Sequence, residues 1–547
     1  MAGLGWWHRF MDYQPTLASY QSTTLQSFPV KRLTLFSPIG LLILLVVYLL
    51  LHLPSLTILP VFADEAIYIR WAQLIIDDWR RYLFFPMNDG KTPLFIWLTV
   101  GALKLAADPL AAGRLVSVLA GFVQVWTTAQ IVKKLGGKNL AVITAMAATM
   151  ILPFWYFYHR MALMDSLLAV LLSLSWLYVL NTVSAKKAAW WSIIAAGLFF
   201  GLALLTKIPA LLFTPTLLLA PFLVRTKKIP LSTVLSWGAA TLLIGIGVFL
   251  SLKLHPAFGQ LFNRGNDFLY SLTELKEQGL WHVITVNTGA IFAALGLYLT
   301  WPFLLLPLAG LFQDQWRRKH FLLMLSALSF LAPIILLGKT IYPRYLLPAA
   351  IPITVSAALV FGQFFLQTQK LIKKPLQLFV RAAVIILGLT YVVSAALEFL
   401  FISWQNPSYL PFTSIDHTQY VREWSSGTGI HEATNLLLEK SQDHTIAVAT
   451  EGFFGTLPDG MLMYLHTQDV TNILLEGIGQ PVVAIPDNFA TKAQQYEQVW
   501  LVVNDHREEM GLNENYLNSL LIAWYCRVPG APCLQVWDIT SLVKKSN

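Results

Sequence analysis

Eleven apolar runs, at about 37–58, 114–132, 139–157, 164–183, 188–205, 208–224, 230–252, 286–312, 320–337, 345–366 and 378–402, alternate with short polar links. Each approaches the roughly 18 to 20 apolar residues with which an α-helix crosses a bilayer core. The pattern predicts a polytopic α-helical membrane protein with about eleven spanning helices. One further run, TPLFIWLTVGALKLAA at 92–107, is shorter and ambiguous. The stretch before it, 65–82, places Ile67, Trp71, Leu74, Ile75 and Trp79 at helical spacing, a pattern suited to lying on a membrane surface.

Charge decides how the ambiguous run is read. Lys31 and Arg32 precede the first run, and no small-residue cleavage site follows a short basic region, so 1–36 reads as a cytoplasmic N-terminal segment with no cleaved leader. If 92–107 does not span, the clusters KKLGGK (133–138), Lys186–Lys187, RTKK (225–228), RRK (317–319) and KLIKK (370–374) all fall on the cytoplasmic side. If it spans, every cluster flips. The first outer loop, 60–113, is therefore expected to be interfacial, within a transmembrane domain of 37–403.

From residue 404 the composition becomes that of a soluble domain, with a helix-like IHEATNLLLEKS and strand-like HTIAVAT and QVWLVV. A small extracytoplasmic α/β domain over 404–547 is expected. It carries sixteen acidic and seven basic residues, so the rest of this +9 chain holds about +18. That excess suits loops beside anionic lipid and does not call for nucleic acid. Cys526 and Cys533 flank a Pro-Gly turn; they form a hairpin staple if the compartment is oxidising, or remain two unrelated thiols. The chain is 56% hydrophobic and 12% charged, with no internal repeat or low-complexity segment.

Acids are scarce before residue 404, and a carboxylate near hydrocarbon needs a purpose or a partner. Asp64 and Glu65 stand together after the first run, and Asp165 lies in HRMALMDSLLAV, five residues after Arg160. The expected topology brings these acids to one outer face with Lys91, Arg114, His255, Arg264, Lys339, Arg344 and Tyr345. Asp64 and Glu65 are equally suited to capping the helix that follows them. The cations can bind a phosphate near the headgroups, or snorkel to ordinary phospholipid. His255 or His159 beside a carboxylate is the metal candidate, and no His-x-x-His, Walker or dinucleotide pattern accompanies it. No cofactor is required, and a divalent metal is left open.

The Asp-Glu pair, GKTPLFIWL, GRLVSVLAG, HRMALMDSLLA and YPRYLLPAAIP occur in that order. Over most of 37–366 the chain resembles the C-type glycosyltransferase superfamily, in the branch of protein O-mannosyltransferases and lipid A aminoarabinose transferase. That resemblance implies a polyprenyl-phosphate-sugar donor, transfer on the outer face, Asp64 as catalytic carboxylate with Asp165 supporting it, and Lys91 and Arg344 on the carrier phosphate. Glu65 joins the catalytic candidates, and Tyr345, Arg160 and Arg264 join the phosphate-binding ones. An inverting single displacement is expected, since a retaining route needs a second carboxylate as nucleophile. The tail lacks the long β-rich lumenal insertion of the eukaryotic mannosyltransferases, so the acceptor stays open among lipid, glycan and protein. A plasma (inner) membrane location is expected. The competing readings are a transporter or lipid flippase, which would bury charges midway along several helices, and a binding scaffold centred on 404–547.

Overall fold

The computed structural model describes residues 36–87, 89–184, 190–224, 230–369, 375–468, 470–516 and 519–544. The expected cytoplasmic segment with Lys31 and Arg32, and the clusters at Lys186–Lys187, 225–228 and 370–374, lie outside the described residues. The chain divides into a unit ending at Val47 and a second from Tyr48 to Asn547. The site and its supports lie within the second.

Among the described residues, seven helices are long and apolar enough to cross a membrane: Pro109–Lys134, Met164–Ser184, Leu231–Leu254, Leu280–Tyr298, Arg317–Leu337, Pro343–Thr368 and Pro375–Gln405. Five shorter apolar helices accompany them, Pro38–His52, Asn139–Ile151, Trp190–Thr206, Ile208–Val224 and Trp301–Gly310. Every predicted run contains an apolar helix, but the expected count of eleven full spans is not reached by length. A backbone break explains one of the shortfalls, and another divides a run that still holds a full-length helix. Pro153, which has no N–H to donate, separates Asn139–Ile151 from the short helix Pro153–Tyr158. Thr300, at φ +65°, separates Leu280–Tyr298 from Trp301–Gly310. The two pieces on either side of Thr300 run antiparallel to Arg317–Leu337. Asn287 donates to the carbonyls of Ile335 and Gly338 at 3.1 and 2.9 Å, whereas Gly310 lies against the His320 ring near the other end.

Two basic clusters expected on one side do meet at one end of the bundle. Lys319 donates to the Leu135 carbonyl at 2.9 Å, joining RRK to KKLGGK. The segment after the first helix forms Ala63–Asp77, Trp79–Tyr82 and Leu94–Ala102. The last has 9 residues, about 13 Å at 1.5 Å per residue, less than half a bilayer core.

The C-terminal domain is a five-stranded sheet. β1 (Ile446–Thr450), β2 (Ile473–Gly477) and β3 (Gln498–Asn504) are parallel, while β4 (Leu521–Cys526) and β5 (Cys533–Asp538) are antiparallel additions, in the order β2-β1-β3-β5-β4. One face closes on a core of Ala447, Ala449, Val499, Leu501, Val503 and Trp537. The helix Ile430–Lys440 and the strands β1 and β3 fall where the sequence placed them. Cys526 and Cys533 are bridged across paired positions of β4 and β5. The domain is fastened to the first loop by main-chain bonds from Ala63 to Ser425 (3.0 Å) and from Gly427 to Val61 (2.8 Å), and by the Gln73 amide on the Met463 carbonyl (2.8 Å).

The start of Ala63–Asp77 is fixed by a buried ion pair. Glu65, fully buried, accepts from Arg114 Nε at 2.8 Å and Nη2 at 2.7 Å, and from the backbone N–H groups of Phe62 (3.0 Å) and Ala162 (2.6 Å). Arg114, 1% exposed, spends its remaining donors on the carbonyls of Leu56, Leu59 and Pro60. Every polar atom of the pair is used, the condition under which burying two charges is tolerable. Arg114→Met strands the Glu65 carboxylate, with an expected destabilisation of about 3–5 kcal/mol. Thermal unfolding of detergent-solubilised protein reads it, and melting at the wild-type temperature would remove the pair as the anchor.

Candidate active site

Glu65 points into the protein, and its neighbour Asp64 therefore points elsewhere, since successive helical residues diverge by about 100°. The Asp64 carboxylate retains 20% exposure. Its Oδ1 accepts from Lys91 Nζ at 3.0 Å, and its Oδ2 meets Arg344 Nη2 at 3.0 Å. Lys91 comes from the loop before Leu94–Ala102, and also donates to Tyr68 Oη at 3.1 Å. Arg344 comes from the 3-10 turn Pro343–Leu346, where it is 7% exposed by side chain and flanked by the rings of Phe62, Tyr342 and Tyr345. Its Nη1 also reaches Tyr420 Oη at 3.4 Å.

A second ion pair adjoins the first through Tyr345. Lys207 Nζ lies 4.2 Å from the Tyr345 ring centroid and 2.7 Å from Asp165 Oδ1. Asp165 opens the helix Met164–Ser184, and Lys207 directly follows Trp190–Thr206. Behind Lys91, Asp89 approaches its ammonium at 3.7 Å and is also paired with Arg264. Lys91, Lys207, Arg264 and Arg344 thus stand against Asp64, Asp89, Asp165 and Asp267, which also pairs with Arg264, so the charges of the cluster balance.

Burial alone would raise the Asp64 pKa. The Lys91 ammonium and the Arg344 guanidinium, with Lys207 farther off, outweigh it and hold the carboxyl well below the usual carboxylate range. Lys91 is shifted the opposite way: burial opposes its charge, but Asp64, Tyr68 and Asp89 raise its pKa well above the ordinary value. Asp64 is thus ionised and Lys91 protonated at every physiological pH.

A shallow, open apolar groove adjoins Lys91, walled by Trp71, Ile75, Phe84, Phe85 and Ile96. A cation at the rim of an apolar groove suits a ligand with an anionic head and a hydrocarbon tail. Deeper in, Asp416 is fully buried and accepts from Tyr158 Oη at 2.7 Å and Tyr298 Oη at 2.6 Å. Burial pushes its pKa up to about 6, against the two hydroxyls, which lower it.

The structure brings together Asp64, Asp165, Lys91, Arg344 and Tyr345, and places Arg264 behind them on Asp89. It does not bring in Glu65, whose carboxylate is consumed by Arg114 and two backbone donors. Nor does it bring in Arg160, which is 6% exposed and bonded to the Pro54 and Ser55 carbonyls and the Tyr156 hydroxyl. Lys339 is paired with Glu274 at 2.6 Å. His255, the metal candidate, accepts from the Ala257 N–H through Nδ1 and lies edge-on to Phe84. His159 is bonded to Ser166 Oγ at 3.0 Å. No group of three or more His, Cys, Asp or Glu suited to a metal occurs among the described residues. Sequence reasoning missed Lys207, although a lone lysine in LLTKIPALLF is the same anomaly as a lone acid in an apolar run. Tyr68, Asp89, Asp416 and Tyr420 had no comparable signal.

Residues 90–251 match the sequence profile of the dolichyl-phosphate-mannose-protein mannosyltransferase family. No curated protein matches the chain in sequence. Among solved structures, ArnT from Cupriavidus metallidurans bound to undecaprenyl phosphate superposes with a TM-score of 0.56 at 16% identity, over 91% of this chain and 98% of that one. Its apo state gives 0.57 at 15% identity, over 92% and 99%. The Archaeoglobus fulgidus oligosaccharyltransferase AglB, in complex with an inhibitory peptide and a dolichol-phosphate, gives 0.47 at 11%, over 86% and 69%. The resemblance read from the sequence is borne out by the profile match over 90–251 and by the fold: this is an integral membrane protein with the fold of ArnT.

Proposed function

We propose that the protein transfers a sugar from a polyprenyl-phosphate carrier to an acceptor on the extracytoplasmic face of the plasma membrane, by a single displacement with inversion. The observation that carries this reading is Asp64, a partly exposed carboxylate held between Lys91 and Arg344. A carboxylate that can take the acceptor's proton, beside cations that can take a leaving phosphate, is the minimum this chemistry needs. The oxidised Cys526–Cys533 pair supports an oxidising compartment for the C-terminal domain.

In the reaction, the donor phosphate enters between Lys91, Lys207 and Arg344, and the isoprenoid lies along apolar surface such as the groove beside Lys91. The acceptor hydroxyl gives its proton to Asp64 as its oxygen bonds to the anomeric carbon. The bond from that carbon to the phosphate oxygen breaks, and the charge returns to the lipid phosphate and its cations. Glu65 is turned away and Asp165 is tied to Lys207 at 2.7 Å. Asp89 is paired with Arg264, so among the described residues no second free carboxylate stands beside Asp64 to act as the nucleophile of a retaining route.

The geometry also couples donor binding to the base. In the free protein Lys91 and Arg344 stabilise the Asp64 anion, which makes it a weak base. A phosphate that draws both cations toward itself removes that field, and the Asp64 pKa rises toward the range in which a carboxylate accepts a proton well.

Asp64→Asn is expected to lower transfer of label from a radiolabelled polyprenyl-phosphate sugar by roughly 10²–10⁴-fold at matched folded expression; undiminished transfer would leave Asp64 as a helix cap only. Lys207→Met is expected to raise the donor KM by roughly ten- to a hundredfold, the worth of a charged hydrogen bond. An unchanged KM would remove Lys207 from the phosphate site. The acid limb of kcat, which reports the donor-bound enzyme, is expected at higher pH than that of kcat/KM, which reports the free enzyme. Coincident acid limbs in the two pH profiles would dispose of the coupling.

A further inference from the structure

A second polar constellation lies in the C-terminal domain, at the carboxyl ends of its three parallel strands. The connection from β1 leads to β2 on one side, and β3 then returns to the other side of β1, so the winding reverses between β1 and β3. In open α/β sheets the crevice outside such a reversal is where ligands bind. The residues there are unusual for a structural turn. Glu451, 2% exposed at the end of β1, accepts from the Asn504 N–H and Nδ2 at 2.8 Å each, and from Arg507 Nη1 at 3.2 Å. Arg507 also donates to the Gln480 side chain, just beyond β2. The loops after β1, β2 and β3 thus converge through Glu451, Gln480, Asn504 and Arg507.

Two further observations point to a ligand. Thr450 Oγ1 and Asn504 Oδ1, in residues 0% and 1% exposed, have no hydrogen-bond partner although they end adjacent strands. Buried polar atoms are almost always paired, so two orphans at one crevice mark a place for an outside group. The loops after β1 and β2 are also packed directly on one another at this end of the sheet. Gly452 and Gly479 pair through their main chains at 2.9 and 3.3 Å, both at positive φ, and a Cβ on Gly477 would collide with the Gly452 carbonyl.

The chemistry selects the ligand class. Glu451 neutralises Arg507, so a free anion would meet a carboxylate. Vicinal hydroxyls, which donate and accept at once, match the mixture of amide, carboxylate and guanidinium. Aromatic faces are present as well: Arg507 stacks on Trp424 at 4.3 Å, and the neighbouring Phe453 and Phe454 are 71% and 51% exposed. Such faces suit the C–H face of a pyranose. The strip that carries Trp424 leads to the active site, since Ser426 pairs with Phe62, two residues before Asp64, and Arg527 Nη2 donates to the Ser426 carbonyl at 2.8 Å.

We propose that this crevice is a carbohydrate-binding subsite that seats the acceptor glycan; its role as acceptor site rests on the glycosyltransferase reading above. The test is saturation-transfer NMR on the full-length protein in nanodiscs, with the methyl glycosides of glucose, mannose, galactose, N-acetylglucosamine and glucuronic acid as probes. At least one glycoside is expected to give saturation in wild type and equally in Asp64→Asn, and to lose it about tenfold or more in Arg507→Ala, as expected for removal of a charged hydrogen-bond donor. If Arg507→Ala unfolds the domain, Phe453→Ala, which removes an exposed ring, must itself diminish the signal. No saturation by any glycoside, saturation unchanged in both variants, or displacement of the sugar by equimolar inorganic phosphate would overturn the proposal. Retained glycoside binding with no label transfer from the polyprenyl donor would sink the transferase reading and leave the carbohydrate site standing.

Discussion

The Glu65–Arg114 pair is the constraint on which the site depends. A buried carboxylate and guanidinium attract strongly, but both lose hydration, so the pair persists only where every lone pair and donor is met. Here that condition forces the carbonyls of Leu56, Leu59 and Pro60, the Ala162 N–H and the Pro109–Lys134 helix to converge on one point. The helix Ala63–Asp77 begins at that point, so its second residue has little freedom. Asp64 is held by its neighbour's bonds rather than by its own, which leaves its oxygens for Lys91, Arg344 and, in the proposed reaction, a substrate.

Around Asp64 three cations stand where the proposed reaction places a phosphate. Lys91, Arg344 and Lys207 come from three separate parts of the chain and are kept partly dehydrated by aromatic rings, Tyr68, Tyr342 and Tyr345 among them. Guanidinium and ammonium groups over ring faces keep their charge with less water than they would otherwise need. In the proposed reaction an incoming phosphate meets cations that are already placed, and displaces the carboxylates that shield them. The same shielding stabilises the arrangement of charges.

The bundle was legible because hydrocarbon imposes a simple rule on sequence, and each predicted run contains an apolar helix. What the runs did not carry was where a helix breaks: 286–312 is predominantly apolar, yet Thr300 at φ +65° divides it, and composition does not record a backbone angle. In the site, Asp64, Lys91, Asp165, Arg344 and Tyr345 were legible because charges are rare beside apolar runs. Glu65 and Arg160 passed the same filter for a different reason. Their charges are spent on tying the 54–60 turn to the bundle, and a buried structural charge is as conspicuous in sequence as a functional one. Only the partner tells them apart, and the partner is a matter of tertiary structure. β2 and β4 escaped notice because they lie on the edges of the sheet with side chains half-exposed or alternating, whereas β5, buried at its four central positions, carries the polar Gln535 among them.

Two adjacent acids at a membrane surface thus divide a task that neither could perform alone. A carboxylate fixed by a full set of hydrogen bonds has no lone pair left for chemistry, and one free enough for chemistry is poorly placed. Setting the two side by side on the first turn of a helix resolves the conflict, because the 100° between them sends one inward to Arg114 and the other toward the cations. The C-terminal domain exploits the same fixed point. Its 425–427 strip pairs with residues 61–63 immediately upstream, so whatever the crevice at Glu451 and Arg507 binds is referred to the same anchor as Asp64. In the reaction and acceptor subsite proposed above, donor phosphate and acceptor are then both referred to one turn of the chain.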